Sequence, residues 1–124
     1  MKERIHTDKA PQAIGPYSQA IAVNGMVYTS GQLGMNAEGV LQGTTAAEQA
    51  HQSIKNLIAV LEQAGSSLEK AVKTTVFLAD INDFAAVNEV YGQYFTEPYP
   101  ARSAVEVANL PKGAKVEIEV IATL

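Results

Sequence analysis

Three charged residues in the C-terminal quarter have the types and spacing that a site for small carboxylates needs. Arg102 begins a segment of alternating polarity, and its planar guanidinium can bind a carboxylate at two points. Glu117 and Glu119 lie two residues apart in a second such segment, so they share one face of a strand. One of these carboxylates could transfer protons beside the arginine. The spacing alone equally allows Arg102 to form an ordinary surface ion pair with Glu117 or Glu119.

Four other residues are candidates for lining a ligand cleft, and each also has an ordinary structural interpretation. Ser30 and Gly31 end a strand, where a residue without a side chain lets a ligand approach the backbone. Tyr17 either places a phenol over a cleft or packs within its own loop. Asn88 interrupts the apolar stripe of a helix, where its amide is either functional or simply exposed to solvent.

The composition excludes several other kinds of chemistry. There is no cysteine, so the chain has no thiolate nucleophile, no disulfide and no cysteine-based metal site. Two histidines, His6 and His51, are too few for a metal site, and we expect none. No phosphate-binding loop or dinucleotide fingerprint is present. The net charge is −4 and no cluster of Lys or Arg occurs, which makes nucleic acid an unfavourable partner.

The length and hydropathy of the chain predict a simple organisation. The 124 residues, 47% of them hydrophobic, are enough for one domain with its own core, so we expect a single domain over residues 1–124. No apolar run approaches the roughly 20 residues that cross a bilayer, and no signal-peptide pattern opens the chain. We therefore expect a soluble, cytoplasmic protein without a membrane partner.

Local signals place the elements that must position these residues. Asn24-Gly25 between two short apolar runs predicts a hairpin with a type I′ turn, and residues 31–43 are expected to form a loop. Thr45 and Glu48 fit a capping box at the start of a helix, which Gly65 would end. Asp80 is expected to cap a second helix. The predicted strands cover residues 20–23, 26–30, 72–79, 102–108 and 115–123, with a short one near Arg4.

This order predicts an α+β fold with a single mixed sheet and two helices on one face. The strand-helix-strand crossover should make its two strands parallel, and the last two strands should be antiparallel. Alternation assigns one set of strand residues to the helix-covered face: Val72, Thr74, Val76, Leu78, Val105, Val107, Val116, Ile118 and Val120. The other set would form an open face: Lys73, Thr75, Phe77, Arg102, Ala104, Glu106, Lys115, Glu117 and Glu119. The open face is either solvated or packs against another subunit in a closed oligomer.

Several segments together resemble the Rid family (YjgF-type proteins), and the RidA subfamily in particular. The resemblance runs from about residue 7 to the C-terminus, and the arginine of PARS with the downstream Glu117 is its most specific part. The segments are residues 13–19 (AIGPYSQ), 29–32 (TSGQ), 72–77 (VKTTVF), 95–97 (FTE), 99–103 (YPARS) and 115–119 (KVEIE).

The resemblance implies a chorismate-mutase-like α+β fold and a homotrimer with clefts between subunits. It implies cofactor-free hydrolysis of reactive 2-imino or enamine acids, such as 2-iminobutanoate and 2-iminopropanoate, to 2-oxo acids and ammonia. Pyridoxal-phosphate enzymes release these intermediates. Arg102 would bind the substrate carboxylate and Glu117 the attacking water. The implied substrate-binding residues are Tyr17, Ser30, Gly31, Asn88 and Ala104, the last at a position where relatives carry Cys.

Two other functions remain open at this point. Some relatives are described as ribonucleases that inhibit translation, although the acidic charge disfavours that function here. The chain could also be a non-catalytic trimer that binds small carboxylates and acts as a regulatory or chaperone-like protein. Arg102 alone would satisfy such a role, whereas a carboxylate beside it favours catalysis.

Overall fold

The computed structural model describes all 124 residues and contains nine main elements. The chain begins with four short strands, continues through a long helix and a strand, and ends with a second helix and two strands. The elements are β1 Glu3–Ile5, β2 Ala20–Val23, β3 Met26–Thr29, β4 Gln32–Leu33, α1 Ala46–Gln63, β5 Ala71–Leu78, α2 Phe84–Tyr94, β6 Ala101–Glu106 and β7 Val116–Thr123. The expected α+β class is confirmed. No helix is long and apolar enough to span a bilayer.

All seven strands belong to one mixed sheet with the order β1-β2-β3-β7-β5-β6, and β4 pairs with β7 beside this path. The crossover through α2 makes β5 and β6 parallel, as predicted, and the other pairings are antiparallel. The last two strands run in opposite directions but are not neighbours, because β5 lies between them. The predicted loop over residues 31–43 contains the short strand β4, which two residues without a clear alternation could not reveal.

The local signals at the hairpin and at α1 are confirmed. Asn24 and Gly25 both have positive φ, at 51° and 76°, as a type I′ turn requires. The Thr45 hydroxyl accepts from the backbone N–H of Glu48, whose carboxylate accepts from the backbone N–H of Thr45. Gly65 ends the helix at φ 85°, a conformation that glycine adopts without steric cost.

The start of the second helix differs from the prediction. Asp80 caps a short 3₁₀ turn at Ile81–Asp83 by accepting from the backbone N–H of Asn82. Helix α2 then begins at Phe84, and its flanking residue Asp83 makes no capping bond. The helix is therefore entered through a tighter turn than the capping signal alone indicates.

Both helices pack on one face of the sheet, as expected, and bury a continuous apolar core. Its central members come from α1 and from the inward positions of β5 and β7. The fully buried large side chains are Ile54, Leu57, Val60, Leu61, Val76, Leu78, Val87, Val116, Ile118 and Val120, together with Val27 and Gln19.

The prediction for β6 placed its residues on the wrong faces. In the parallel register, Arg102 pairs with Thr74 and Ala104 with Val76, and both partners are buried beneath the helices. Arg102, Ala104 and Glu106 therefore lie on the helix side, while Val105 lies on the open face and is 43% exposed. A six-residue strand at the sheet edge carries too little hydrophobic signal to define its inner face, so its pairing decides. Val72 is also exposed, because the pairing of β5 with β7 is irregular between Ala71 and Lys73.

A buried polar contact fixes the segment after β3 against α1. Asn56 is 1% exposed, and its amide donates to the carbonyls of Leu33 and Met35 at 3.2 and 2.8 Å. The hydroxyl of buried Ser53 donates to the carbonyl of Gln32 at 2.7 Å. These bonds satisfy backbone groups that the short strand β4 leaves unpaired, so α1 determines where residues 31–35 lie.

We predict that Asn56→Ala lowers the free energy of unfolding by about 2–4 kcal/mol, because the buried carbonyl of Leu33 and the half-buried carbonyl of Met35 lose their donor. Lys55→Ala, at the adjacent exposed position, should change the free energy by less than about 0.5 kcal/mol. Urea denaturation at one fixed protein concentration measures both effects. Equal small losses in the two variants would contradict the structural role of the amide.

Candidate functional site

Arg102 projects from β6 onto the face of α2. Its guanidinium carbon lies 4.8 Å from the centre of the Tyr91 ring and 5.3 Å from that of Phe84. Its Nη1 donates to the side-chain oxygen of Asn88 at 2.6 Å. The amide of Asn88 is therefore used to hold the arginine, which favours the functional interpretation of this residue over a solvated helix position.

A cavity of about 400 Å³ opens beside this arginine. Asn88, Tyr91 and Gly92 of α2 line it together with Tyr99, Pro100 and Arg102. We call it the arginine cavity. The expected alternative, an ion pair of Arg102 with Glu117 or Glu119, is wrong, because Arg102 forms no salt bridge. The exposed guanidinium thus keeps donors for an anionic ligand.

Glu117 lies in a second cavity of about 520 Å³ on the other side of the sheet. We call it the glutamate cavity. Tyr17, Ser30 and Gly31 line it together with Glu117, and so do several apolar side chains, including Ile14. The hydroxyl of Ser30 donates to the carbonyl of Ser18 at 2.5 Å, which ties the end of β3 to the loop that carries Tyr17.

Gly31 leaves the space that the Glu117 carboxylate occupies. A Cβ built at position 31 would lie 2.7 Å from the carboxyl carbon of Glu117 and 2.8 Å from one of its oxygens. Real side chains essentially never approach that closely, so any other residue here would displace the carboxylate. The sequence suggested Gly31 as a point of backbone access, and the structure adds this steric reason.

The surroundings of Glu117 favour its protonated form. Burial raises the pKa of Glu117 above its ordinary value of 4.5, and the negative charge of Glu119 on the same strand face raises it further. A carboxyl group with a raised pKa exchanges protons closer to neutral pH than a solvated one does. Its place in the glutamate cavity, which Glu119 does not line, distinguishes Glu117 from Glu119, as strand geometry alone could not.

Within one chain the candidate residues form two separate groups. The arginine cavity includes Asn88 and Arg102, whereas the glutamate cavity includes Tyr17, Ser30, Gly31 and Glu117. The expectation that Arg102 and Glu117 share one face is wrong, for the register reason given above. Glu117 does not line the arginine cavity, and Arg102 does not line the glutamate cavity.

Ala104 joins neither group, because its side chain packs against the core. Conversely, Phe84 and Tyr91 belong to the apolar stripe of α2 that Asn88 interrupts, a pattern that predicts only core packing. Their rings also contact Arg102. Their spacing of four and three residues around Asn88 is the signal that could have identified them. No group of three acidic, histidine or cysteine side chains could hold a metal ion.

We predict that Glu119→Gln lowers the pKa of Glu117 but leaves it above 4.5, because burial is the larger cause of the rise. Carbon-detected NMR titration of the glutamate carboxyls measures this shift. The folded state binds the Glu117 proton more tightly than the unfolded state does, so protonation of Glu117 stabilises the fold. This contribution to the free energy of unfolding is complete below the unfolded-state pKa of Glu117. It is lost as pH rises through the folded pKa. Glu117→Gln should remove that part of the pH dependence, and a wild-type Glu117 pKa at or below 4.5 would contradict the prediction.

Comparison with known proteins places this geometry in a family. The family model described as Endoribonuclease L-PSP matches residues 7–124. The human protein named 2-iminobutanoate/2-iminopropanoate deaminase is 54% identical over 95% of this chain and 87% of its own length. The RutC family protein y4sK of Sinorhizobium fredii is 53% identical over 100% of this chain and 99% of its own.

A solved structure agrees with the sequence relatives. The crystal structure of YyfA from Yersinia pestis is described as a protein of unknown function of the conserved Rid protein family. It superposes with a TM-score of 0.97 at 52% identity, covering 100% of both chains. The resemblance of the sequence motifs to Rid proteins is therefore confirmed, and the chain belongs to the family described as Endoribonuclease L-PSP.

Proposed function

We propose that this chain is a hydrolytic deaminase that converts reactive 2-imino acids and their enamine forms to 2-oxo acids and ammonia. Its substrates are 2-iminobutanoate and 2-iminopropanoate, the compounds after which its human relative is named. The observation that carries the proposal is Arg102, which has no carboxylate partner, is held by Asn88 and faces an open cavity. The raised pKa of Glu117 in the second cavity supports a hydrolytic step.

Arg102 supplies binding and orientation in this reaction. A 2-imino acid carries a carboxylate directly beside the carbon of its C=N bond. Two-point binding of that carboxylate by the guanidinium fixes the plane of the substrate and so the position of the adjacent carbon. The protonated C=N carbon is strongly electrophilic, so orientation and a proton-transfer group are the main requirements.

Glu117 supplies the proton transfers. Its carboxylate accepts a proton from water as the oxygen attacks the C=N carbon, which forms a tetrahedral amino alcohol. The same carboxyl group then gives its proton to nitrogen. As the C–N bond breaks and ammonia leaves, the hydroxyl group of the intermediate loses its proton to the Glu117 carboxylate and becomes the C=O group. Tyr17 and Ser30 line the cavity where these steps take place, and Gly31 leaves room for the carboxylate.

A complete site requires two copies of the chain, because the arginine cavity and the glutamate cavity lie on opposite sides of the sheet. We propose that the arginine cavity of one protomer meets the glutamate cavity of the next. Such a contact joins two different surfaces, so it closes as a ring or continues as a filament. The ring is a homotrimer with three equivalent sites, as the family resemblance implies. The open face of the sheet, which bears Phe77, packs at the centre of this ring.

The proposed location of the protein is the cytoplasm.

The name of the family model raises cleavage of RNA as a second function. The charge of the chain disfavours it, since 13 acidic side chains outnumber 9 basic ones. Polyanion binding ordinarily requires clustered Lys and Arg, together with aromatic side chains on which bases stack. A deamination assay with 2-iminobutanoate should therefore include RNA as a competing ligand, and inhibition of deamination by RNA would favour the second function.

We predict that Glu117→Gln lowers the deamination rate by about 10²–10⁴-fold, the usual contribution of a general acid-base group. The matched control Glu119→Gln should change it little. A pyridoxal-phosphate threonine dehydratase generates 2-iminobutanoate, semicarbazide traps it, and added protein suppresses the trapped product. Equal losses in both variants would refute the assigned role of Glu117, and no suppression by the wild-type protein would refute the deaminase proposal.

We predict that mixing two inactive variants restores activity. Arg102→Lys keeps the charge but loses the planar two-point geometry, and Glu117→Gln loses the proton-transfer group. When the two are unfolded and refolded together in equal amounts, about one quarter of the shared sites should receive both intact residues. Light scattering checks the trimer mass, and each variant refolded alone is the control. A mixture no more active than its parents would contradict a site shared between chains.

A further inference from the structure

Helix α2 presents a short stripe of three side chains to the guanidinium of Arg102. Phe84, Asn88 and Tyr91 follow one another at intervals of four and three residues, which places them on one helix face. The amide of Asn88 accepts from Nη1, and the two rings lie 5.3 and 4.8 Å from the guanidinium carbon. The guanidinium is thereby held by one hydrogen bond to an amide and by cation–π contacts with two aromatic rings.

Tyr91 is itself anchored from two directions. Its hydroxyl lies 2.9 Å from the Oγ1 of Thr74, a side chain with 0% exposure on β5. Its ring stacks on Phe95, with centroids 4.1 Å apart and an angle of 20° between the planes. Burial raises the pKa of Tyr91, so its phenol remains protonated in the neutral range and can share a hydrogen bond with Thr74.

These contacts connect Arg102, Thr74 and Tyr91 to one another across β6, β5 and α2. Thr74 is the register partner of Arg102 in the parallel pair of β5 and β6. The backbone of Arg102 is thus paired with the residue whose side chain holds Tyr91, and the ring of Tyr91 supports the guanidinium. Arginine ordinarily loses considerable rotamer freedom on binding a ligand, and a preformed support removes part of that cost.

We propose that Tyr91 is a positioning residue for Arg102, and that the Thr74 hydroxyl acts through Tyr91. Together they hold the guanidinium in the orientation that binds the substrate carboxylate. This inference rests on the proposed function, because it assigns Arg102 the carboxylate of a 2-imino or 2-oxo acid. It adds that carboxylate affinity depends on the aromatic support as well as on the charge of Arg102.

An NMR measurement tests the support without any ligand. The chain has only two arginines, Arg4 and Arg102, so the guanidinium Nε–H region contains two signals, and Arg4 is an internal reference. The Arg102 signal should be displaced by the ring current of Tyr91. Tyr91→Leu should move it toward the Arg4 position, and Tyr91→Phe, which keeps the ring but loses the bond to Thr74, should move it less. The matched control is Tyr94→Leu, because Tyr94 lies on the same helix as Tyr91 but its ring contacts His51 of α1 instead of Arg102.

Calorimetric binding of 2-oxobutanoate tests the consequence for the ligand. Loss of the ring in Tyr91→Leu should weaken binding by about 2- to 30-fold, the range for a cation held over an aromatic face. Tyr94→Leu should leave binding unchanged. In an Arg102→Lys background, which lacks the planar guanidinium, the effect of Tyr91→Leu should be much smaller. A merely structural role of Tyr91 would weaken binding equally in both backgrounds.

A second double-mutant cycle, which combines Thr74→Val with Tyr91→Phe, tests the role of Thr74. It remains decisive if the Tyr91→Leu variant does not fold. Thr74→Val should weaken binding when Tyr91 is present and have no further effect when Tyr91 is replaced by Phe. Additive effects of the two substitutions would overturn the role of Thr74. An unchanged Arg102 signal or unchanged affinity in Tyr91→Leu would overturn the role of Tyr91.

The wild-type measurements separate failure of this inference from failure of the proposed function. If the wild-type protein deaminates 2-iminobutanoate and only the variants behave otherwise than expected, the inference alone is wrong. If it binds 2-oxobutanoate without deaminase activity, the proposed function fails while the two variant cycles still decide the inference. If it neither binds nor reacts, both are wrong.

Discussion

The parallel pairing of β6 with β5 is the constraint on which the candidate site depends. Its register sets Arg102 opposite Thr74 and thereby turns the guanidinium toward α2. A shift by one residue would move every side chain of β6 to the other face. Arg102 would then lose Asn88 and both aromatic rings, and Val105 would point toward the helices instead. One strand pairing at the sheet edge therefore determines on which surface the guanidinium of Arg102 appears.

The sequence predicted best those features whose causes are local. The turn at Asn24-Gly25 and the cap formed by Thr45 and Glu48 depend on neighbouring residues alone, and both were correct. The facing of β6 was wrong because an edge strand of six residues takes its orientation from its partner. Residue types and spacing indicate most of the candidate residues, whereas the family resemblance selects Glu117 over Glu119 and adds Ala104. Their division between two surfaces follows from the register of the folded sheet, which the spacing of Arg102 and Glu117 does not encode.

The glutamate cavity shows how a reactive group is kept at a cost to stability. Burial and the nearby Glu119 charge both disfavour the ionised form of Glu117, so the folded chain tolerates this carboxylate rather than gaining from it at neutral pH. Gly31 adds a backbone position where a larger residue would clash with the carboxylate. Asn56 and Ser53 offset this by fixing the adjacent segment to α1 with buried hydrogen bonds. A stable helix contact thus supports a locally unfavourable arrangement.

The placement of the two cavities on opposite sides of the sheet also affects how activity depends on the amount of protein. If the proposed ring is the active form, an isolated folded chain carries one arginine cavity and one glutamate cavity but no complete active site. Specific activity would then rise with expression level and fall on dilution below the dissociation constant of the ring, although every chain stayed folded. The quantity of protein in the cell would act as a threshold on the chemistry, with no effector molecule involved.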